Sequence, residues 1–229
     1  AKGYIQRAII QSGGGLGGII STKSLQDAEE AGKAMWEASG YTTLEQMRAC
    51  PTDKFQEVMM TYMKTLKTFN GLPYSPCVDG QLLEASVHDV ALQNNELDIP
   101  YMIGYTSEDI APPVMKKAAV DWSLLLEKQG RQPAYVYCFS RDLPGEDMPA
   151  AQGGFGDMKG AFHSSELWYM FGTLDKCWRP IEKVDYELSE RMVSYWTNFA
   201  KTGSPNGEGL PVWKPCTKAD NHIQDLNVK

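Results

Sequence analysis

The chain has 229 residues, of which 42% are hydrophobic and 22% are charged, with 22 basic against 29 acidic side chains and a formal net charge of −7. This composition is typical of an ordered globular protein and argues against a nucleic-acid partner, because nucleic-acid binding depends on neutralising phosphates with basic side chains. No apolar stretch approaches the length of a membrane-spanning helix, and the five cysteines include no C-x-x-C pair of the kind that holds zinc.

The first third of the chain predicts one strand followed by three helices. Ala8–Ile10 is typical of a short buried strand and leads into a glycine-rich loop. Ser24 begins the first predicted helix, which ends at Gly40, and Thr43 begins a shorter second one. The third helix follows Asp53 and has a continuous apolar face. The residues of this face are Phe55, Val58, Met59, Tyr62, Met63 and Leu66.

The rest of the chain alternates strands with helices. Pro100–Tyr105 and Ala134–Phe139 predict buried strands, and between them a helix over Val114–Gly130 follows two prolines. Residues 143–160 are rich in glycine and predict a long irregular loop, and a last helix covers residues 185–202. This alternation favours the α/β class, and no linker divides the chain into separate domains.

Gly13, Gly15 and Gly18 form a G-x-G-x-x-G pattern after the first predicted strand. Such a pattern binds a dinucleotide when a helix opens at once and an acidic residue ends a second strand about 20 residues later. Here residues 19–22 intervene, and the acidic residues that follow lie on a predicted helix. A nucleotide-binding oxidoreductase therefore stands as an alternative that rests on these three glycines alone.

The chain has three histidines. His222 lies in a polar C-terminal stretch and is predicted at the surface, and His88 lies beside Asp89 at a helix start, where a surface or capping role is expected. His163 follows the glycine-rich loop, and a histidine delivered by a loop to the edge of an α/β sheet is well placed to act as a general base. The alternative is that His163 only stabilises its own loop.

Glu108 and Asp109 follow the strand that begins at Pro100. Carboxylates just beyond the carboxyl end of a buried strand lie where open α/β sheets place ligands and catalytic groups. The alternative is that Asp109 caps the helix that begins after Pro112, a role that Ser107 could fill equally well.

Five segments of the chain match, in order, the pattern of one enzyme family. They are Ala1–Gly13, the segment after the nucleophile turn; Pro76–Gly80, a P-V-x-D-G turn; Met102–Asp109, the strand and loop of the catalytic acid; Phe162–Leu167, the catalytic-histidine motif; and Tyr195–Gly207 with Leu210–Trp213, the closing helix and loop. In these segments the chain resembles the C-terminal portion of the type-B carboxylesterases, in the α/β-hydrolase superfamily. The resemblance implies an α/β-hydrolase fold with an incomplete, mostly parallel sheet flanked by helices.

The resemblance also assigns site residues. It implies that Asp109 and His163 are the acid and the histidine of a Ser-acid-His triad, which needs no metal ion or organic cofactor. Glu108 is a lesser candidate for the acid, because the family usually has Glu followed by Gly where this chain has Asp109 followed by Ile110. Two further residues resemble positions that support the acid and the histidine: Ser12 and Glu166.

The sequence contains no G-x-S-x-G, the turn that carries the family's nucleophilic serine, and no histidine-glycine-glycine loop to complete the oxyanion hole. We therefore expect residues 1–229 to be the C-terminal portion of a hydrolase domain whose nucleophile lies in a preceding portion of the same protein. Alone, the chain is expected to be inactive or nearly so on small-molecule carboxylic esters, because the members of a triad act as a unit.

Two further expectations follow from the resemblance. Only 54 residues separate Asp109 from His163, fewer than the family usually has, which indicates a reduced helical subdomain around the substrate. Family members are often exported, so a secreted or periplasmic location is implied for the full-length protein.

A non-catalytic role is the main alternative. Part of an α/β-hydrolase fold leaves a sheet edge and an apolar face uncovered, so the chain could be a binding module or could associate with itself through the exposed edge. The intact acid and histidine motifs favour the enzyme, because a pure binding protein does not need them.

Overall fold

The computed structural model describes residues 3–17, 22–65, 75–149 and 158–228. They form two compact units, one made of residues up to 19 and from 91 onward, and the other of residues 20–90. Gly18, Leu66 and the middle of the loop predicted over residues 143–160 lie outside the described residues.

The elements alternate between strands and helices, as the sequence predicts. In chain order they are β1 (Ala8–Gln11), β2 (Lys23–Ser24), α1 (Leu25–Ser39), α2 (Leu44–Arg48), α3 (Thr52–Thr65), β3 (Cys77–Val78), α4 (Val87–Leu92), β4 (Tyr101–Thr106), α5 (Pro112–Lys128), β5 (Tyr135–Phe139), α6 (Leu167–Met170), a 3-10 helix (Leu174–Lys176), α7 (Lys183–Thr202) and β6 (Gln224–Leu226). No helix within the described ranges is long and apolar enough to cross a membrane.

The larger unit is built on a four-stranded sheet in the order β1-β4-β5-β6. Every neighbouring pair is parallel, with Ile10 beside Ile103 and Ile103 beside Val136. Parallel neighbours align their carboxyl ends, so residues that follow β1, β4 and β5 meet at one end of the sheet.

Each face of this sheet buries its own apolar core. Tyr135, Tyr137 and Phe139 alternate along β5 and pack on the side of α7, whereas Ile103 and Val136 pack on the side of α5. This alternation is the two-residue period of a strand covered on both faces. The α/β fold class, with a mostly parallel sheet flanked by helices, is confirmed.

Helix α7 shows why the local predictions succeed. Its predicted apolar face is buried, and it ends at Gly203, whose positive φ of 82° suits a residue without a Cβ. The buried residues of this face are Leu188, Met192, Tyr195, Trp196 and Phe199. Burial of each such side chain stabilises the fold by roughly 1.5–3 kcal/mol, so packing of α7 on the sheet contributes to the stability of both.

The smaller unit contains the three predicted helices α1, α2 and α3. Ser24 caps α1 by accepting from the N–H of Asp27, α1 ends at Gly40, and Thr43 forms a capping box with Gln46 at the start of α2. Helices α1 and α3 pack together, and β2 pairs in parallel with β3. Tyr62 is buried on the apolar face of α3.

Candidate active site

Asp109 lies three residues beyond β4, at the carboxyl end of the sheet. Its carboxylate accepts hydrogen bonds from the N–H of Thr106 at 3.1 Å and from the N–H of Ile110 at 2.8 Å, and its side chain is fully buried. The helix-capping alternative is wrong, because α5 begins after Ala111 and no side chain caps it. Two backbone N–H groups close in sequence therefore fix the Asp109 carboxylate, and this carboxylate does not cap helix α5.

His163 lies between a short stretch of backbone pairing and helix α6. On one side, Phe162 forms a parallel bridge with Glu108, whose N–H donates to the carbonyl of Ala161 at 3.0 Å. On the other side, Ser164 has a positive φ of 70°, which turns the chain sharply before α6. The imidazole is 41% exposed, so a molecule in solution can reach it.

The structure brings Asp109 and His163 together, although they are 54 residues apart in the chain. His163 Nδ1 lies 2.7 Å from Asp109 Oδ1. No described residue forms a hydrogen bond with Nε2, so the pair consists of a buried acid and a histidine whose second nitrogen is open to a reactant. This is the geometry in which a carboxylate orients an imidazole as a general base.

The charges of the pair stabilise each other. Burial alone would raise the pKa of Asp109, but hydrogen bonds from His163 and from the backbone outweigh burial and hold that pKa at about 2. The same hydrogen bond raises the pKa of His163 above 6.5, against the opposing effect of its own partial burial. Asp109 therefore stays ionised at neutral pH, and His163 becomes a stronger base.

Ser12 and Glu166 are near enough to Asp109 to influence or feel its charge. Ser12 follows β1, is 6% exposed and has a positive φ of 50°. Its hydroxyl is near enough to help lower the pKa of Asp109, although no contact of that hydroxyl among the described residues has the geometry of a hydrogen bond. Glu166 is 1% exposed, and burial, with repulsion from Asp109, raises the pKa of its carboxyl. Gln11, which the sequence argument missed, donates to Glu166 Oε1 at 3.2 Å.

Glu108 is not brought to His163. It is exposed and lines an open cavity of about 390 Å³ with Asp142, Asp147 and Lys159. The chain turns after β4, where the N–H of Asp109 donates to the carbonyl of Thr106 at 3.3 Å, and the carboxylate of Asp109 meets the imidazole while Glu108 lines the cavity. Among the described residues, no group of three or more His, Cys, Asp or Glu side chains is placed to hold a metal ion.

The other two histidines have different surroundings. His88 is exposed on α4, whose first turn is capped by Ser86, which accepts from the N–H of Asp89 at 3.0 Å. His222 is half-buried, with Nε2 3.4 Å from Gln224 Oε1. A surface position is thus confirmed for His88, whereas His222 is less exposed than its polar sequence context predicts.

The glycine-rich loop after β1 packs against α5. A Cβ at Gly15, where φ is 105°, would lie 2.4 Å from the carbonyl oxygen of Ala118, and the N–H of Leu16 donates to that oxygen at 3.1 Å. The next helix of the described residues begins at Leu25, after β2. Gly15 therefore serves close packing, and within the described part of the chain no helix opens directly after the glycines, as a dinucleotide site requires.

Comparisons with known proteins agree with this architecture. The model of the carboxylesterase family matches residues 1–120 and 114–229. Carboxylesterase 1C of Mus musculus is 21% identical, covering 97% of this chain and 50% of its own length, and carboxylesterase 5A of Canis lupus familiaris is 36% identical over 30% of this chain and 13% of its own length.

Solved structures show the same fold. A thermophilic PNB esterase superposes with a TM-score of 0.72 at 19% identity, covering 99% of this chain and 55% of that one. The chain spans about half the length of that structure and of carboxylesterase 1C. Because the family model matches the sequence from end to end, the chain belongs to the carboxylesterase family.

Proposed function

We propose that this chain supplies the acid and the histidine of a serine carboxylesterase that hydrolyses small-molecule carboxylic esters. The observation that carries the proposal is the 2.7 Å contact between Asp109 Oδ1 and His163 Nδ1 at the carboxyl end of the parallel sheet. Membership of the carboxylesterase family supports esters as the substrate class.

In this mechanism His163 moves protons and Asp109 orients it. Asp109 accepts a hydrogen bond from Nδ1–H, so the lone pair of the imidazole lies on Nε2. Nε2 takes the proton of the serine hydroxyl as the serine oxygen attacks the ester carbonyl, and gives that proton to the leaving alcohol when the ester C–O bond breaks. A water then loses a proton to Nε2 and attacks the acyl-serine, and the proton returns to the serine oxygen as the acid departs.

The serine and the oxyanion hole are proposed to come from residues outside this sequence, which contains no G-x-S-x-G. Ser12, whose hydroxyl helps to lower the pKa of Asp109, is not proposed as the nucleophile, because it is 6% exposed and does not stand in a G-x-S-x-G turn. The 229 residues alone should therefore turn over esters slowly or not at all, because two members of a triad cannot replace the whole.

The test compares two proteins. One is the 229-residue chain alone, and the other is a longer protein in which this chain is preceded by a segment that carries G-x-S-x-G. A fluorophosphonate probe reports an activated serine, and a short-chain ester reports turnover. The chain alone should show neither, and the longer protein should show both.

In the longer protein, His163→Ala should lower kcat by about 10⁴-fold or more. His88→Ala is the matched control, because His88 is exposed on α4 and distant in sequence from the pair; this variant should keep full activity. Full turnover in His163→Ala would refute the proposal, as would His163-dependent hydrolysis by the 229 residues alone.

A further inference from the structure

A second buried carboxylate lies outside the Asp109–His163 pair. Asp185, in the first turn of α7, has a fully buried side chain. It accepts from Arg141 Nε at 2.7 Å, from the Tyr169 hydroxyl at 2.7 Å and from the N–H of Glu182 at 2.9 Å. A buried carboxylate with this many donors is fully satisfied, so it forms a rigid junction rather than a strained one.

Tyr169 connects this junction to helix α6 and is held through both its side chain and its backbone. The Tyr169 hydroxyl is bound by Asp185, and the Tyr169 carbonyl oxygen accepts from the Ser189 hydroxyl at 2.7 Å. Tyr169 is fully buried and its ring lies 4.9 Å from that of Phe139 in β5. Helix α6 has only four residues, so its position depends on these contacts rather than on its own stability.

Helix α6 continues directly from the turn that carries His163. The N–H of Leu167 donates to the carbonyl of Ser164 at 3.2 Å, and the N–H groups of Tyr169 and Met170 both donate to the carbonyl of Glu166 at 3.0 Å. On its other side the turn is fixed by the pairing of residues 161–162 with Glu108. His163 is therefore held on both sides. Backbone pairing with Glu108 fixes the residues before it, and helix α6, bound to Asp185 through Tyr169, fixes the residues after it.

We propose that Asp185, acting through Tyr169, is a positioning residue that holds His163 within hydrogen-bond distance of Asp109. This inference rests on the role proposed above for His163, but it concerns the geometry of the imidazole and not turnover. The strained φ of 70° at Ser164 supports it, because a turn held in that conformation must be fixed on both sides.

The experiment compares two Tyr→Phe variants of the chain. Tyr169→Phe removes only the hydroxyl that reaches Asp185. Tyr195→Phe is the matched control: Tyr195 is also fully buried, and its hydroxyl donates to the carbonyl of Pro211 at 2.8 Å, away from the His163 turn. Each variant loses one buried hydrogen bond, so their losses of stability should be comparable.

The readout is the pKa of His163, followed by NMR titration of the imidazole ring protons in a chain with only three histidines. In Tyr169→Phe the pKa of His163 should move down toward 6.5, because the hydrogen bond to Asp109 that raises it is made less of the time. The amide of Met170 should exchange about fivefold faster, as expected for the loss of one hydrogen bond. Tyr195→Phe should change neither quantity.

An unchanged His163 pKa in a folded Tyr169→Phe, or equal shifts in both variants, would overturn the proposal. Ser189→Ala provides a second route if Tyr169→Phe does not fold, because it removes the hydrogen bond to the Tyr169 carbonyl and leaves Asp185 intact. A shift in Ser189→Ala would show that holding Tyr169 in place sets the position of the imidazole. Asp185→Asn tests the carboxylate itself, whose charge is not among the influences on the pKa of His163; it should lower that pKa, and no shift in a folded Asp185→Asn would reject the role. None of these outcomes depends on whether the protein hydrolyses an ester.

Discussion

The charge on Asp109 should stabilise the fold in a pH-dependent way. The pKa of Asp109 is about 2 in the folded chain, against an ordinary value of 3.8. Because folding lowers this pKa, the ionised carboxylate contributes stability that is fully present above about pH 4 and is lost as the pH falls through about 2. The difference between the two pKa values corresponds to about 2 kcal/mol of unfolding free energy, since one pKa unit is worth about 1.4 kcal/mol.

Asp109→Asn isolates this contribution, because asparagine has nearly the same size and does not titrate. At about pH 6 the variant should be less stable than the natural chain by about 2 kcal/mol, and at about pH 3 the gap should narrow by about 1 kcal/mol. Urea unfolding followed by tryptophan fluorescence measures both values, and all tryptophans except Trp36 lie in the larger unit with Asp109. A urea slope of about 2 kcal/mol per molar would separate the midpoints by about 1 M at the higher pH.

An equal difference in unfolding free energy at the two pH values would contradict this linkage between the Asp109 charge and stability. A constant gap would mean that the asparagine side chain costs stability through packing or lost backbone hydrogen bonds, and that the charge of Asp109 contributes nothing. A gap that widens on acidification would also contradict the sign of the linkage.

Three further substitutions test other parts of the structure. Gly104→Ala should lower stability by about 3 kcal/mol in thermal unfolding, because its Cβ would lie 2.3 Å from the ring of Tyr137; an unchanged Tm would contradict the packing of β4 on β5. Gly32→Ala, at an exposed position of α1 with no atom near the new Cβ, should raise stability by up to about 1 kcal/mol in the same assay. Glu108→Gln should leave the NMR-measured pKa of His163 unchanged, and a downward shift would show that Glu108 shares the acid's role.

The sequence predicted most elements of the fold because their signals are local. Ser24 and Gly40 mark the two ends of α1, and Gly203 ends α7, through caps that depend only on neighbouring residues. Strand β5 was predictable from its run of apolar and aromatic side chains. By contrast, β6 is the three-residue segment Gln-Asp-Leu, which has no periodic pattern of apolar residues. It forms a strand because its backbone pairs in parallel with β5.

The candidate site rests on family resemblance more than on sequence pattern. Residues alone placed Asp109 after a strand and His163 after a loop, but gave each an alternative role. Nothing in the spacing of 54 residues shows that the two side chains meet. Asp185 was beyond such an argument, because an aspartate in the first turn of a helix is ordinarily an exposed cap, and its burial depends on Arg141 and Tyr169 from other parts of the chain.

In the proposed triad an aspartate stands where the resemblance leads us to expect glutamate, and its backbone partners are close in the chain. The N–H of Thr106 and the N–H of Ile110 come from positions three before and one after Asp109, and both reach its carboxylate at ordinary hydrogen-bond lengths. The short side chain of Asp109 therefore reaches both donors within its own turn. The imidazole then has to approach the acid, and the turn at Ser164, followed by the anchored helix α6, is the part of the structure that brings it there.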